Sequence, residues 1–405
     1  MSSQVMPTWL RFSERAFAYN FVAFSFVMFS CLFPTGFSAT FSTLAFCFAL
    51  PLFLKQIRSI KLNRFELVGL ALFVWLLLSV VWSDARVLES FGYLSEYRIY
   101  FMLPVLISVV SINRQTQRWA LVAAVLGAFV ALVASYGLGL GWWEIEGAEF
   151  SLGNRIYHGF IMSSFLLGCL LVARETTGIS RLLAAAVALL VVYNILNIEV
   201  GRTGYLQVII VVITLTMLTF SRVQSCLGVA GIIIAGVLAY LSFDVFHERV
   251  NQTLSNIEST VVGDNYHSST GYRLEFYRYG MGIGMDHPLL GVGVGDVTRI
   301  LELGAETGEI RVSTDNVHNE FINMLMAGGA PALVLFCGFI LAIVYSGFVV
   351  RHDSRLLGDA LVGLGVIIFV SALFNSTIKD YGEKHALIIM LSIVGSHLLD
   401  RKPTN

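Results

Sequence analysis

Long apolar runs separated by short polar segments make up most of this chain. A transmembrane helix needs about 20 mostly apolar residues, and runs of roughly this length recur from residue 16 to residue 399. The pattern predicts an all-α, polytopic membrane protein of about 12 transmembrane helices. These predicted spans lie near residues 16–34, 37–54, 65–82, 98–112, 118–139, 156–173, 182–198, 204–220, 225–243, 331–350, 356–374 and 385–399. The first run is too long for the apolar core of a signal peptide, so we interpret it as a retained span.

A long polar segment at about residues 244–316 interrupts this pattern. We predict one membrane domain over residues 1–405, in which residues 244–330 form a large, partly helical loop and a boundary helix between the ninth and tenth spans. Residues 328–331 (GGAP) should break that helix. The glycines of residues 287–296 do not match a dinucleotide-binding loop, and we interpret them as a tight turn where backbone approaches a helix or the substrate.

Basic residues concentrate in alternate short loops and tails. These segments hold Arg11, Arg15, Lys55, Arg58, Lys61, Arg64, Arg114, Arg118, Arg174, Arg181, Arg222, Arg351, Arg355, Arg401 and Lys402. Because cytoplasmic loops are enriched in Lys and Arg, we predict that both termini are cytoplasmic. The segment 244–316 then faces outward, which in a bacterium means the periplasm.

Composition agrees with a membrane protein and excludes several other classes. The chain is 56% hydrophobic and only 13% charged, with a mean hydropathy of +0.76. Its net charge of −1 gives no basic surface for nucleic acid, so the expected surroundings are membrane lipids. All five cysteines lie in apolar runs, which predicts neither a disulfide framework nor a cysteine-based metal site.

His318 lies where the polar segment returns to apolar sequence. We predict that a helix begins here, with Thr314 or Asp315 as its cap and His318 in its first turn, facing the apolar side. The helix N-terminus should favour the neutral imidazole, which can take a proton from a hydroxyl. The alternative is a histidine that only forms a hydrogen bond across an interface, and the residues leave both interpretations open.

Two arginines are predicted on the same side as His318. Arg202 lies where a span enters the bilayer and is suited to a lipid-linked phosphate, although it could instead reach the headgroups or pair with Glu199. Arg273 and Tyr277 share a helix face at i, i+4 spacing. Arg278 is expected to pair with Glu275, which leaves Arg273 as the functional arginine.

The remaining outward loops hold polar and aromatic groups. Asp380 could orient a base or an acceptor sugar, but pairing with Lys379 or Lys384 is the favoured interpretation. Outward aromatic residues are interpreted as an interfacial belt rather than as a sugar site. They are Tyr93, Tyr97, Tyr100, Trp142 and Trp143.

Arg202, Arg273 and His318 together suit one reaction. The arginines would hold a pyrophosphate whose lipid tail stays in the bilayer, and the histidine would deprotonate the hydroxyl that attacks the sugar. We see no paired carboxylates on the outer side that would hold a metal, so neither a metal nor a cofactor is expected.

The stretch 315–321 (DNVHNEF) followed by Gly328 and Gly329 resembles the signature of the O-antigen ligases, which share a superfamily with O-antigen polymerases and protein O-oligosaccharyltransferases. Residues 202–206 (RTGYL) resemble the Arg-x-x-x-Leu element of that family, and Arg273 resembles its loop arginine. The order of the spans and the position of the large loop also fit the family.

This resemblance implies a GT-C-like glycosyltransferase of the bacterial inner membrane. The donor would be undecaprenyl-pyrophosphate-linked O-antigen and the acceptor a sugar of the lipid A–core, with inversion and without metal or ATP. By the same resemblance, His318 would be the base, and Arg202 and Arg273 the pyrophosphate ligands. Supporting roles would fall to Asp380, Tyr277 and Asn319.

Three alternatives remain. An O-antigen polymerase would use the same donor with a growing glycan as acceptor. A transporter or flippase would need polar groups near the middle of the bilayer, whereas Asp359 and His397 lie near predicted cytoplasmic ends. A structural scaffold would not explain the histidine and the two arginines.

Overall fold

The computed structural model describes residues 35–56, 58, 61–111, 114–144, 154–199, 201–263 and 265–399. Within these ranges, every regular element is helical. The helices are α1 Thr35–Gln56, α2 Arg64–Leu78, α3 Val87–Glu96, α4 Ile99–Ser111, α5 Arg114–Gly139, α6 Arg155–Glu175, α7 Gly178–Asn197, α8 Arg202–Thr219, α9 Arg222–Ser242, α10 Asp244–Val261, α11 Ser269–Asp286, α12 Asp296–Glu306, α13 Glu320–Val350, α14 Arg355–Phe374 and α15 Tyr381–Leu399, with a 3₁₀ turn at Ser79–Trp82.

Eight helical segments in the described part of the chain are long and apolar enough to cross a membrane: Arg64–Trp82, Arg114–Gly139, Arg155–Glu175, Gly178–Asn197, Arg202–Thr219, Arg222–Ser242, Glu320–Val350 and Arg355–Phe374. The pair α3 and α4 forms a ninth if its 47° bend lies within one span. The all-helical, polytopic fold is therefore confirmed. The count of twelve stays a prediction, and its first span, 16–34, lies outside the described residues.

The centre of the bundle forms where α13 packs against α2 and α14, and where α15 packs against α4. Phe336 and Phe339 of α13 and Leu387 of α15 are completely buried there. By contrast, α9 exposes apolar side chains along most of its length. Exposed apolar surface of this extent is stable only against lipid.

The polar segment 244–316 folds into α10, α11 and α12, in agreement with a partly helical loop. Helix α11 lies directly against the first turns of α13. At Gly280 and Gly284, an added Cβ would come within 3 Å of Ile322 and Leu325, respectively. This close contact fixes where α11 presents its other side chains.

The predicted helix break is confirmed inside α13. Gly328 and Gly329 have non-helical backbone angles, and the φ of Gly329 is 66°. The turn at 287–296 packs into this break, since Val292 N–H donates to the Met326 carbonyl at 2.8 Å and Ala330 N–H to the Pro288 carbonyl at 2.7 Å. The turn therefore brings backbone against a helix, as its glycines predict.

The bundle has two polar ends. Asp359 lies in the second turn of α14, and Asn375 directly follows the last residue of the same helix. At about 1.5 Å per residue, α14 separates the two positions by roughly 25 Å. We call the two regions the Asp359 end and the His318 end, because Asn375 contacts His318.

The prediction of an interfacial tyrosine belt is wrong. Tyr93, Tyr97 and Tyr100 are buried at and near the 47° bend between α3 and α4. The Tyr100 ring meets the Phe339 ring edge-on, with centroids 5.2 Å apart. Trp142 and Trp143 are exposed, at 65% and 41%, as a belt requires.

Candidate active site

The helix after the polar segment begins later than its sequence indicates. Helix α13 starts at Glu320, and Asn319 caps it by accepting from Ile322 N–H at 3.1 Å. The predicted caps Thr314 and Asp315 are wrong, and His318 precedes the helix instead of lying in its first turn. Thr314 and Asn316 hydrogen-bond to nearby backbone, and such local bonds compete with helix formation.

His318 has a left-handed backbone conformation, with a φ of 55°. This region is unfavourable for a residue with a Cβ, and it persists only where surrounding contacts hold it. Here the Asn316 side chain accepts from His318 N–H at 2.9 Å, and the Tyr277 hydroxyl donates to the His318 carbonyl at 3.0 Å. The predicted supporting residue Tyr277 therefore positions the backbone of His318.

The His318 ring is half-buried beside Phe276 and Asn375. Burial lowers the pKa of His318 below its ordinary value, and Arg273 lowers it further. Asp380 and, more weakly, Asp315 act in the opposite direction. A neutral imidazole is therefore favoured, but by burial and a nearby guanidinium rather than by a helix N-terminus.

Asp380 contacts the loop that holds His318 and does not pair with a lysine. It accepts a hydrogen bond from the Asn316 side chain at 2.9 Å. The two lysines form their ion pairs elsewhere, Lys379 with Asp315 and Lys384 with Glu96, so the favoured pairing of Asp380 is wrong. Burial raises the pKa of Asp380, and His318 lowers it.

Arg202 is the first residue of α8. One guanidinium nitrogen donates to the Thr270 hydroxyl, while the buried Nε has no hydrogen-bond partner. The alternative of pairing with Glu199 is wrong, because Glu199 forms its ion pair with Arg155 at 3.9 Å.

Arg273 lies one helical turn after Thr270 on α11 and donates to the Phe374 carbonyl at 3.1 Å. Arg202 thus contacts the helix of Arg273, and Arg273 contacts the residue that precedes Asn375. Among the described ion pairs, neither arginine has a carboxylate partner. The expected pairing of Arg278 with Glu275 is wrong, since Glu275 bonds Arg311 through both backbone and side chain.

A third arginine, Arg249, lies near these two, and no sequence motif identified it. Arg249 of α10 lies within electrostatic range of Arg202, and its buried Nε lacks a hydrogen-bond partner. Phe246, one turn earlier, packs edge-on against Tyr205 of α8 with ring centroids 4.8 Å apart. The shared helix face of Phe246 and Arg249 is the sequence signal that could have identified this residue.

Asn319 and Asn375 complete the surroundings of His318. The Asn319 side chain caps α13 and donates to the Leu373 carbonyl at 3.0 Å, so both of its polar ends serve the fold. Asn375 is 3.3 Å from His318 Nδ1 through its Oδ1 and donates to both carboxylate oxygens of Glu383, at 2.8 and 3.0 Å. Asn375 and Glu383 were not predicted, because they are distant from His318 in sequence.

These contacts define what the His318 end can do chemically. Arg249 and Arg273 lie within electrostatic range of Arg202, and none of the three has a carboxylate partner among the described ion pairs. A group of guanidiniums of this kind can bind an anion such as a phosphate. An imidazole with a lowered pKa next to that site can accept a proton near neutral pH. In the described part of the chain, no group of three or more His, Cys, Asp or Glu side chains is placed to hold a metal ion.

Comparison with known proteins gives one family. The family model described as O-antigen ligase matches residues 161–337, a region that includes Arg202, Arg273 and His318 and ends before Asn375. No curated protein matches the chain at a significant level.

Proposed function

We propose that this multi-pass membrane protein is an O-antigen ligase, a proposal supported by the family model that matches residues 161–337. It would transfer glycan from undecaprenyl-pyrophosphate-linked O-antigen to a sugar of the lipid A–core. The observation that supports the proposal is the position of His318 within electrostatic range of Arg273, which in turn neighbours Arg202. Neither arginine has a carboxylate partner among the described ion pairs.

In the proposed reaction, a hydroxyl of the acceptor sugar attacks the anomeric carbon of the donor glycan. The new C–O bond forms as the bond to the pyrophosphate oxygen breaks, and that oxygen keeps the electron pair. His318 takes the hydroxyl proton and later releases it to water. Attack from the face opposite the pyrophosphate inverts the configuration at the anomeric carbon.

Arg202 and Arg273 would bind the pyrophosphate and stabilise the negative charge that grows on it as the bond breaks. Arg249 would add charge from α10. Because these cations would supply the positive charge that the leaving group needs, we propose that the transfer is independent of metal. Diphosphate leaves readily without a proton, so the mechanism needs no general acid.

The proposed location is the bacterial inner membrane, with the His318 end facing the periplasm. The distribution of basic residues supports this orientation, since Arg174 and Arg351 lie at the opposite end of the bundle. Single cysteines at residues 60 and 265 test it in intact cells. The proposal expects labelling at 265 and none at 60, and the reverse pattern would contradict it.

The function is tested with purified protein in lipid vesicles, in the presence of a metal chelator. Undecaprenyl-pyrophosphate-linked glycan is supplied with either core lipid or free lipid-linked glycan as acceptor. A ligase attaches glycan to core lipid, whereas a polymerase lengthens the lipid-linked glycan and leaves core lipid unmodified. Movement of the donor across the bilayer without any new glycosidic bond would contradict both enzymes and indicate a transporter.

A further inference from the structure

We infer that Asn375 and Glu383 are positioning residues that fix the tautomer and the orientation of the His318 ring. The inference rests on the proposed function, because it assigns these residues to the base of that reaction. It goes beyond the family match, which ends at residue 337 and includes neither residue.

The Glu383 carboxylate determines how the Asn375 amide is oriented. Both carboxylate oxygens lie within 3.0 Å of the amide nitrogen, at 2.8 and 3.0 Å. Whether or not the carboxyl group is ionised, at least one of its oxygens has no proton and can only accept, so the amide atom close to both oxygens must be the NH₂ nitrogen. The amide oxygen then points the other way, to His318 Nδ1 at 3.3 Å.

The amide orientation in turn determines which ring nitrogen of His318 carries the proton. An amide oxygen can only accept, so Nδ1 must be the N–H and Nε2 must hold the lone pair. Nε2 is therefore the atom that takes the proton from the acceptor hydroxyl. With the amide reversed, Nδ1 would become the acceptor and Nε2 would carry a proton and be inactive as a base.

Burial makes this arrangement specific. Asn375 and Glu383 are both completely inaccessible to solvent, so water cannot replace either bond. The backbone N–H of Asn375 donates to the Ser371 carbonyl at 2.8 Å, which anchors the amide to the end of α14.

The other charged and titratable groups facing His318 come from three segments. Arg273 approaches from α11, Asp315 from the loop before α13 and Asp380 from the loop before α15, and the Tyr277 hydroxyl contacts the His318 carbonyl. These groups change how readily the ring is protonated. The Asn375 oxygen, in contact with Nδ1, selects the nitrogen.

The test exchanges the amide and the carboxylate. In Asn375→Asp, two buried carboxyl groups face each other without an N–H between them, and transfer should fall about 10- to 1,000-fold, as for other misoriented catalytic histidines. Glu383→Gln alone leaves the amide orientation unspecified and should not increase the rate. The double variant N375D/E383Q restores donor and acceptor at each contact. In that variant the amide at position 383 donates to the carboxylate at position 375, and this carboxylate accepts from Nδ1–H of His318.

Two results are expected from the double variant. Adding Glu383→Gln to Asn375→Asp should raise kcat at least about tenfold, while the same change in the wild type does not. The acidic limb of the kcat–pH profile should also lie at higher pH than in the wild type, because a carboxylate next to Nδ1 raises the pKa of His318. A purely structural pair could restore the protein level but would leave the pH profile unchanged.

Asn251→Asp is the matched control, because this exposed amide on α10 accepts from the Tyr240 hydroxyl and a carboxylate can do the same. Wild-type kcat and pH profile in all three variants at residues 375 and 383 would overturn the inference. If Asn375→Asp does not accumulate in membranes, the pH profile of the double variant decides. Activity of His318→Ala equal to wild type would instead contradict the proposed function itself.

Discussion

Two arginines at the Asp359 end share a buried carboxylate, whereas Arg202 and Arg273 at the His318 end have no carboxylate partner among the described ion pairs. At the Asp359 end, Arg174 and Arg351 both form ion pairs with the buried Asp359, at 2.6 and 2.5 Å. At the His318 end, Arg202 donates to a hydroxyl and Arg273 to a backbone carbonyl. Both sets are anchored by neighbouring helices, so the difference between them is charge compensation.

This difference distinguishes the arginines with a structural role from those that we propose bind the pyrophosphate. A buried carboxylate between two guanidiniums satisfies both cations and joins α6, α13 and α14. Guanidiniums held only by neutral oxygens keep most of their charge available to a ligand. The His318 end is therefore suited to an anion that the fold itself does not supply, as a pyrophosphate site requires.

The largest effect is expected from removing the imidazole at the His318 end. His318→Ala should lower the rate of transfer about 10²- to 10⁴-fold, the usual contribution of a positioned general base. Donor binding should remain, because the arginines are separate from the ring. His287→Ala, at an exposed histidine that follows α11, is the control and should retain full activity.

The Asp359 end should respond in stability rather than in activity. Asp359→Asn leaves two partly buried guanidiniums without their anion and should cost about 3 kcal/mol of stability. The rate per folded molecule should be unchanged. Glu175→Gln removes the exposed partner of the same Arg174 and should cost at most about 1 kcal/mol. Thermal unfolding in detergent measures the loss of stability in both variants. Equal losses in the two variants would contradict the structural role assigned to the buried Asp359.

Arg202→Lys and Arg273→Lys test whether the uncompensated charges act as bidentate ligands. Each change keeps the charge and loses the two-pronged geometry, which should cost about 1.5–3 kcal/mol, or roughly ten- to a hundredfold in transfer. Arg278→Lys, on the exposed face of the same α11, is the control for Arg273. Normal transfer in both variants at normal membrane levels would remove these arginines from the site.

The smallest effect is a change of pH dependence. Asp380 favours the protonated form of His318, so Asp380→Asn should lower the pKa of His318. In the proposed mechanism the neutral ring is the active form, so the acidic limb of the rate profile should move to lower pH. Asp315→Asn should move it in the same direction but by less, since Asp315 acts more weakly on the ring. A shift to higher pH in Asp380→Asn would show that this carboxylate acts on another group.

The sequence predicted features that depend on local pattern. Apolar runs predicted the spanning helices, the paired glycines predicted the break at Gly328 and Gly329, and helical spacing correctly placed Arg273 and Tyr277 on one face. Each of these follows from residues that are neighbours along the chain, where propensity and periodicity apply.

The errors concern contacts between distant segments. Helix α13 begins at Glu320, later than predicted, because Thr314 and Asn316 form local side-chain hydrogen bonds instead of capping a helix. Tyr97 and Tyr100 are buried because other helices cover them, which their own periodicity does not show. The contact of His318 with Asn375 joins residues 57 positions apart, so only the packing of α13 against α14 reveals it.

The most direct test of the His318 end is the variant His318→Gln, assayed in membranes that hold equal amounts of variant and wild-type protein. Glutamine keeps a hydrogen bond but cannot take a proton at neutral pH. Attachment of O-antigen to core lipid is measured together with donor binding. The general base predicts that His318→Gln binds donor but is as inactive as His318→Ala. A rate near that of the wild type would show that His318 is only a structural hydrogen-bonding residue.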